Sequence, residues 1–285
     1  MSATHGLVTD TIAFSSVDGP GNRFVVFLQG CNFDCIACHN PYTINICNEC
    51  GECVTACPSG AIGFSPIGRL EWNRDACQGA EACIAVCPWD ATPKSVVRPA
   101  WELLTDIRTA APFLSGITVS GGEATQQAGF VRELFGAVKS DPATAHLTCF
   151  VDSNGAADRL TWTSLLPVMD AAMIDLKCLD PEIHRLMTGQ PNDQVLESIR
   201  YLAAVDRLYE VRLLLLPGIN DDPGLLDRTA RWLADLDPTM RIKLIGFRHH
   251  GVRPTTKGLV EPTAEQMANY RDTFATRGLF SLCVT

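Results

Sequence analysis

The sequence lacks long apolar runs, and its longest apolar stretches, such as Leu213–Pro217, are far too short to span a bilayer. Residues 1–10 have neither the basic region nor the apolar region of a signal peptide. An excess of basic residues is also missing, since the net charge is −9. Nucleic-acid binding needs a basic patch. We therefore expect neither a membrane nor a nucleic acid among the partners of this chain.

The cysteines are not spread along the chain as a disulfide framework would require. The 285 residues contain 13 cysteines, and ten of them lie between Cys31 and Cys87. Clustered cysteines in a chain without a signal peptide are typical of metal binding in a reducing cytosol, so we expect a cytoplasmic protein. Zinc is the ordinary alternative for any CxxC group. The spacings described below are those of ferredoxins rather than of zinc ribbons.

Three cysteines directly follow an apolar run, Arg23–Gln29, that predicts a strand. Cys31, Cys35 and Cys38 have C-x3-C-x2-C spacing. Three thiolates at this spacing can hold three irons of a cubic [4Fe–4S] cluster and leave the fourth iron without a protein ligand. A structural cluster is normally closed by four cysteines, whereas an open iron is available to a substrate or cofactor. The spacing therefore predicts a catalytic cluster.

Two further cysteine runs follow, and they form the only internal repeat that we find in the sequence. The first is the complete run of bacterial ferredoxins, and the second, 30 residues later, has Ala80 in place of one cysteine. In two-cluster ferredoxins the last cysteine of each run binds the cluster of the other half. Applied here, this rule predicts one complete [4Fe–4S] cluster. Its ligands would be Cys47, Cys50, Cys53 and Cys87.

The other predicted cluster is one thiolate short. Its ligands would be Cys57, Cys77 and Cys83. It is then a [3Fe–4S] cluster, or a [4Fe–4S] cluster completed by water or by a carboxylate such as Asp75 or Glu81, or it has been lost. An insert of about 50 residues buries little core, so metal is expected to supply much of its stability.

The remainder of the chain alternates between strand and helix patterns, which favours a parallel α/β sheet or barrel. Polar or glycine-rich sequence follows each of six strands, at the ends that carry catalytic groups in (β/α) barrels. The predicted strands are Arg23–Gln29, Ile117–Ser120, Leu147–Asp152, Ala171–Asp175, Tyr209–Leu216 and Arg241–Phe247, with Leu279–Val284 as a closing strand. The predicted helices are Trp101–Thr109, Phe130–Lys139, Leu160–Leu166, Asp193–Val205, Leu225–Asp235 and Thr263–Arg277.

A set of motifs along almost the whole chain is more specific than the cysteines alone. The motifs are Ser16–Arg23, Gln29–Cys31, Cys38–Pro41, Thr118–Glu123, Val151–Gly155 and Met173–Lys177. Together they resemble the glycyl-radical-enzyme activating enzymes of the radical S-adenosylmethionine (SAM) superfamily, most closely the YjjW-like branch. The resemblance implies a partial (β/α)6 TIM-like barrel of residues 1–43 and 97–285, interrupted by a ferredoxin-like insert of residues 44–96.

The resemblance also implies roles for individual residues. The amino and carboxylate groups of SAM would chelate the open iron, and the residues around SAM would be Gly121, Gly122, Glu123, Asp152, Ser153, Asp175, Lys177 and Arg212. A monovalent cation would be held by Asp152, Ser153, Met173 and Asp175. The family usually has a histidine directly after the aromatic residue of the sixth strand, where this chain has Arg248. Either His250 takes over that contact with SAM or Arg248 makes it.

The activity implied by the resemblance is reductive cleavage of SAM to methionine and a 5′-deoxyadenosyl radical. That radical would abstract a hydrogen from a glycine of a partner glycyl radical enzyme, and flavodoxin or ferredoxin would supply the electron. Two alternatives remain: a radical SAM enzyme that acts on a small molecule or another peptide, and a non-catalytic iron–sulfur electron carrier. No heptad pattern is visible, so we expect a monomer.

Overall fold

The alternating apolar segments form eleven strands and nine α-helices within residues 4–285, which the computed structural model describes apart from the side chain of Lys257. The strands are β1 (His5–Ser15), β2 (Arg23–Leu28), β3 (Ile62–Phe64), β4 (Leu70–Trp72), β5 (Val96–Pro99), β6 (Gly116–Gly121), β7 (Thr148–Ser153), β8 (Ala171–Asp175), β9 (Leu208–Leu215), β10 (Arg241–Gly246) and β11 (Ser281–Val284). The helices are α1 (Glu52–Ala56), α2 (Ala82–Ala85), α3 (Ala100–Ala110), α4 (Ala128–Ser140), α5 (Arg159–Leu165), α6 (Pro181–Thr188), α7 (Asp193–Ala204), α8 (Pro223–Leu236) and α9 (Ala264–Ala275).

Nine of the strands form one sheet in the order β11-β10-β9-β8-β7-β6-β2-β1-β5. The seven strands from β11 to β2 are parallel, whereas β1 is antiparallel to both of its neighbours, β2 and β5. The strands β5 and β11 lie at the two edges, so the sheet is open. The carboxyl ends of β2 and of β6 to β10 therefore lie along the same edge of the sheet.

Helices that follow the parallel strands cover the sheet with apolar faces. In α4, for example, Phe130, Leu134 and Val138 recur every four residues and are fully buried, together with their neighbours Val131 and Phe135. The central strands are buried along most of their length and are therefore apolar at consecutive positions, as in β6 and β8. These elements together form the main hydrophobic core of the chain.

The motif Ser16–Arg23 lies at the amino end of β2, and the first cysteine follows its carboxyl end. The side chain of Arg23 is fully buried and donates hydrogen bonds to Thr118 Oγ1 (2.7 Å) and Thr148 Oγ1 (2.9 Å). Its guanidinium also lies 4.3 Å from the ring centroid of Phe150. Burial lowers the pKa of Arg23 to about 10, and the buried contacts fix the start of β2 against β6 and β7.

Between the cysteine loop after β2 and the strand β5, the chain forms α1, the β3–β4 hairpin and α2 as a small unit. The hairpin is a two-stranded antiparallel sheet separate from the main sheet. The buried side chains of its hydrophobic cluster are Cys53, Ile62 and Cys83. The unit thus has very little apolar core of its own.

Side chains from the rest of the chain contact this unit near its two ends. The side chain of Gln29 donates to the carbonyl oxygen of Asn45 (2.5 Å), and Asn45 itself forms a parallel bridge with Ala91 inside the unit. Arg253 pairs with Asp34 in the loop of the first cysteines (2.6 Å) and with Asp90 just after the last ferredoxin-type cysteine (2.8 Å). Arg253 therefore bridges the two cysteine-bearing regions.

All six predicted strands of the parallel sheet are confirmed, as are the predicted closing strand and the six predicted helices. The prediction missed β1, β5 and α6, as well as the short elements of residues 44–96. In residues 4–285, no helix combines the length and the apolar character that crossing a membrane would require.

Candidate functional site

The carboxyl ends of β2, β6, β7 and β8 surround a cavity of about 270 Å³. Ten of the predicted site residues line this cavity. They are Cys31, Cys35, Cys38, Gly121, Gly122, Glu123, Asp152, Ser153, Asp175 and Lys177. Residues that lie up to 146 positions apart in the sequence, from Cys31 to Lys177, are thus brought to one site by the parallel sheet.

The loop that carries the three cysteines is fixed by backbone hydrogen bonds at its start and in its middle. At its start, the amides of Gly30 and Cys31 donate to the carbonyls of Thr43 and Ile44 at 2.8 and 2.9 Å. In its middle, the amides of Asp34 and Ile36 donate to carbonyls in the last turn of α6 at 3.0 and 2.9 Å. The three thiols are therefore presented to the cavity by a loop whose position is set by neighbouring elements.

Burial raises the pKa of all three thiols, that of Cys31 to about 12 and that of Cys35 to about 11, and that of Cys38 also lies above its ordinary value. These thiols stay protonated at neutral pH until a metal displaces the protons. Among residues 4–285 no three Cys, His, Asp or Glu side chains converge on one point as the ligands of a single metal ion would. Cluster thiolates bind different corner irons, so three separated thiols on one cavity fit a cluster.

Gly121 and Gly122 allow three backbone segments to approach one another closely. Gly121 has a φ of +118°, and a Cβ there would lie 2.2 Å from the amide nitrogen of Leu28. A Cβ on Gly122 would lie 2.3 Å from the carbonyl oxygen of Gly30. The glycine pair thus lets the end of β6 pack directly against the start of the cysteine loop.

The carboxylate of Glu123 is engaged by hydrogen bonds from its own chain. Oε1 accepts from the amide of Thr125 (2.9 Å), the hydroxyl of Thr125 (2.6 Å) and the hydroxyl of Ser153 (2.8 Å). Oε2 accepts from the amide of Asn154 (2.7 Å). Burial raises the pKa of Glu123, while these hydrogen bonds oppose the shift. Glu123 therefore ties the loop after β6 to the loop after β7.

Charged side chains form two sets of contacts at the carboxyl ends of β6 to β8. Lys177 pairs with Asp175 at 2.6 Å, and Asp152 accepts from Ser120 Oγ at 2.9 Å and from Arg212 Nη1 at 3.0 Å. Burial disfavours the charge of Lys177, but Asp175 and Cys35 outweigh it, so the pKa of Lys177 lies above its ordinary value. Lys177 is therefore a permanent cation beside the cysteine loop.

Arg212 lies beneath the cavity rather than on its surface. Besides Asp152, it contacts Glu210 through Nε at 2.9 Å and the Sδ of Met173 through Nη2 at 2.8 Å. Burial disfavours its charge, but the surrounding carboxylates outweigh this effect and raise its pKa. The guanidinium thus contacts Asp152 and Met173, two of the four residues predicted to hold a monovalent cation.

The alternatives Arg248 and His250 both follow β10 and are exposed, and neither lines the cavity. Two cavity residues were missed by the sequence analysis. His39 lines the cavity, and its buried Nε2 has no hydrogen-bond partner within residues 4–285. The Nδ2 of Asn154 donates to Asn32 (2.8 Å) and lies 3.8 Å from the Sγ of Cys31. His39 lies inside the motif Cys38–Pro41 and Asn154 inside Val151–Gly155, so the motifs were the sequence signal that could have identified them.

Several thiols of residues 44–96 affect the pKa of their neighbours. Burial raises the pKa of Cys47, and the nearby thiols of Cys87 and Cys50 raise it further. Burial also raises the pKa of Cys53, with further contributions from Cys47, Cys83 and Cys50. The thiols of Cys57, Cys77 and Cys83 also line a second, small cavity.

The comparison with protein families gives one match, to the family model described as the Radical SAM superfamily, over residues 25–228. This range contains the three cysteines of the main cavity and the strands β6, β7 and β8, whose carboxyl ends surround it. The chain belongs to the radical SAM superfamily. Membership implies a [4Fe–4S] cluster and SAM as cofactors of this radical SAM enzyme.

Curated relatives extend the similarity over most of the chain. The pyruvate formate-lyase 1-activating enzyme of Escherichia coli K12 is 30% identical over 83% of this chain and 78% of its own length. The (2S)-3-sulfopropanediol dehydratase activating enzyme of Klebsiella oxytoca is 31% identical over 86% of this chain and 83% of its own length. These homologues of the radical SAM enzyme are both activating enzymes.

Solved structures support the same fold. A radical SAM methyltransferase from Sphaerobacter thermophilus aligns with a TM-score of 0.59 at 14% identity, covering 92% of this chain and 67% of that chain. At this identity the likeness shows the fold alone. It agrees with the mostly parallel sheet described above.

Proposed function

We propose that this radical SAM enzyme activates a glycyl radical enzyme by abstracting a hydrogen from one of its glycines. The observation that supports this most is the single cavity in which three thiols, and no fourth cysteine, face the polar ends of β6, β7 and β8. The relatives named as activating enzymes supply the choice of substrate class. By the resemblance in motifs, the chain would fall in the YjjW-like branch.

Cys31, Cys35 and Cys38 would hold the [4Fe–4S] cluster, with the fourth iron left for the amino and carboxylate groups of SAM. When bound, the cluster and SAM supply the one-electron cleavage that yields methionine and a 5′-deoxyadenosyl radical. Lys177 would place a fixed positive charge beside the thiolates and the carboxylate of SAM. Asp152 and Asp175 would line the ribose and carboxylate side of the cavity.

Arg212 beneath the cavity and Glu123 in its wall would orient the residues beside them. Arg212 holds Asp152 through a 3.0 Å contact, and Glu123 fixes the loop of Ser153 through a 2.8 Å hydrogen bond. The buried floor limits access of water to the site, which protects a reactive radical. In this proposal Arg212 and Glu123 are positioning residues, and no contact with SAM is assigned to His250.

Residues 44–96 would act as a ferredoxin-like insert that passes electrons from an external flavodoxin or ferredoxin to the active site. Cys47, Cys50, Cys53 and Cys87 would hold a complete auxiliary [4Fe–4S] cluster, as their ferredoxin spacing predicts. Cys57, Cys77 and Cys83, which line one small cavity, would hold a second cluster with three thiolates. The chain would act as a monomer on its partner.

The test uses anaerobically reconstituted protein with SAM, a flavodoxin reducing system and a candidate glycyl radical enzyme from the same genome. We expect 5′-deoxyadenosine to form and a glycyl radical signal to appear in the electron paramagnetic resonance (EPR) spectrum of the partner. Cys35→Ala should abolish both, and a partner whose radical glycine is replaced by alanine should lose the signal. SAM cleavage without a glycyl radical would contradict the activase and indicate another substrate. No cleavage, with no effect of SAM on the reduced EPR spectrum, would indicate an electron carrier.

A further inference from the structure

The two cysteine runs of the insert share backbone geometry as well as spacing. Left-handed φ angles recur at three matched pairs of positions: Glu49 and Gly79 (60° and 71°), Gly51 and Glu81 (83° and 55°), and Gly60 and Asp90 (64° and 45°). Non-glycine residues rarely adopt such angles, so their recurrence at matched positions indicates that both halves fold alike. In this alignment Ala80 stands where the first half has Cys50. The missing thiolate is therefore a local change within an intact fold.

The structure around Ala80 shows what surrounds the missing ligand. A cavity of about 20 Å³ is lined by Ala80, Glu81 and Lys94 together with the thiols of Cys57, Cys77 and Cys83. Of the two carboxylates named as alternative ligands, Glu81 lines this cavity and Asp75 does not. Glu81 is exposed, so its carboxylate would have to give up its hydration to bind iron.

The positive charge of Lys94 is not paired within the part of the chain that the structure describes, residues 4–285. None of the ion pairs there involves Lys94. The hydroxyl of Ser59 also lies 3.7 Å from the Sγ of Cys57, within hydrogen-bond distance for sulfur. The set of Cys57, Cys77 and Cys83 thus has one thiolate fewer than the set of the complete cluster, and it has an unpaired cation beside it.

We propose that Cys57, Cys77 and Cys83 hold a cluster whose fourth corner has no protein ligand, and that this cluster has the higher reduction potential of the two in the insert. Net charge, hydrogen bonds to sulfur and solvent exposure set the potential of such clusters. One negative ligand fewer and the cation of Lys94 both favour the reduced state, because reduction adds negative charge. A corner iron without a protein ligand is readily lost, which leaves a [3Fe–4S] cluster. The inference rests on the proposed function only for the presence of clusters in the insert.

The test separates the insert from the active-site cluster, which also has an open corner. In the full-length Cys31→Ala/Cys35→Ala/Cys38→Ala protein only the insert can hold clusters. After mild anaerobic oxidation we expect about seven irons per chain and one [3Fe–4S] EPR signal per chain. Ala80→Cys should raise the iron content to about eight, remove that signal and lower the upper midpoint of an EPR-monitored redox titration.

The first half of the insert provides matched controls. Cys50→Ala should create a second [3Fe–4S] signal and raise the lower midpoint, because it copies the natural state of the second half. Ala80→Ser and Glu81→Gln should keep the parental spectrum. If the triple variant does not fold, Ala80→Cys is instead compared with the unaltered chain, with SAM bound to both proteins.

Three results would overturn the proposal. Iron content, signal and midpoints that Ala80→Cys leaves unchanged would show that position 80 does not face the open corner. A spectrum altered by Glu81→Gln would show that a carboxylate fills the corner. About four irons per chain would show that the second cluster is absent. None of these results depends on SAM cleavage, so the proposed function would stand or fall separately.

Discussion

The main sheet and the insert are stabilised by different kinds of contact. The core of the sheet contains large side chains that are fully buried, among them Phe130, Phe135 and Trp162. The separate cluster of the insert has Cys53, Ile62 and Cys83 as its buried members, and two of these three are proposed iron ligands. Apolar packing therefore determines the fold of the sheet, whereas the insert has little apolar core, and its fold would depend on metal if its thiols hold the proposed clusters.

The largest effect that tests this comparison is expected on removal of iron. Anaerobic chelation should unfold residues 47–87 and leave β6 to β9 folded, because only the insert lacks an apolar core. Hydrogen exchange followed by mass spectrometry measures both regions in one experiment. We expect protection of the insert amides to disappear and protection of the sheet amides to persist. Loss of protection in both regions together, or in neither, would refute the difference.

A second effect concerns matched substitutions in the two cores. Leu134→Ala removes a fully buried side chain of α4 and should lower the free energy of unfolding by about 2–5 kcal/mol. Ile62→Ala in the insert should change the unfolding of the sheet by less than about 0.5 kcal/mol, since the two sites share no contacts. It should instead speed the loss of iron to a chelator. Urea unfolding and the rate of iron release are the two measurements.

The same difference explains which elements the sequence predicts. The parallel strands and their helices are confirmed because buried apolar residues mark them directly. β1 was missed because its apolar residues do not mark a single buried face, since Ile12 and Phe14 on it are exposed. Its pairing with β2 and β5 makes it a strand. α6 was missed because it buries polar residues, His184 and Thr188. Neither feature is visible without tertiary contacts.

The candidate site was predictable in its location and less so in its contacts. Strand ends and motifs identified the residues that line the cavity, because parallel strands bring their carboxyl ends to one edge. The sequence does not reveal that Gly122 packs against Gly30 or that Glu123 is held by Ser153 and Asn154. These contacts join segments that are distant in the chain, and only the assembled sheet creates them.

A third effect concerns acid, to which the two regions should respond differently. The insert contains no histidine, whereas His184 of α6 is fully buried against Phe33. Burial lowers its pKa to about 4, from about 6.5 when unfolded. The unfolded state then binds the proton more strongly, so stability is complete above about pH 6.5 and falls as pH drops towards 4.

Urea unfolding of iron-free protein at pH 7 and pH 5 measures this effect. Because of His184, the free energy of unfolding should be about 2 kcal/mol lower at pH 5 than at pH 7. His184→Leu should remove that part of the acid sensitivity, and His146→Leu, at an exposed site, should not. If His184→Leu keeps the full pH dependence, the histidine is not held neutral in the folded chain.

The smallest effect concerns the contact between the two regions. Arg253 is mostly buried, but Asp34 and Asp90 are 70% and 46% exposed, so solvent weakens both pairs. Arg253→Ala should therefore cost about 1 kcal/mol locally and speed amide exchange about fivefold around Asp34 and Asp90. The control is Arg231→Ala, which removes an exposed pair with Asp227 on α8.

The position of Arg253 makes this small change informative about electron transfer. Asp34 lies between Cys31 and Cys35, and Asp90 follows Cys87, so Arg253 joins a loop of the active-site cluster to a loop of the insert. Arg253→Ala should slow SAM cleavage driven by flavodoxin more than cleavage driven by a small chemical reductant that reaches the active site directly. Equal slowing with both reductants would mean that the arginine positions the cysteine loop alone, and the two regions would then be coupled through Asn45 and Gln29.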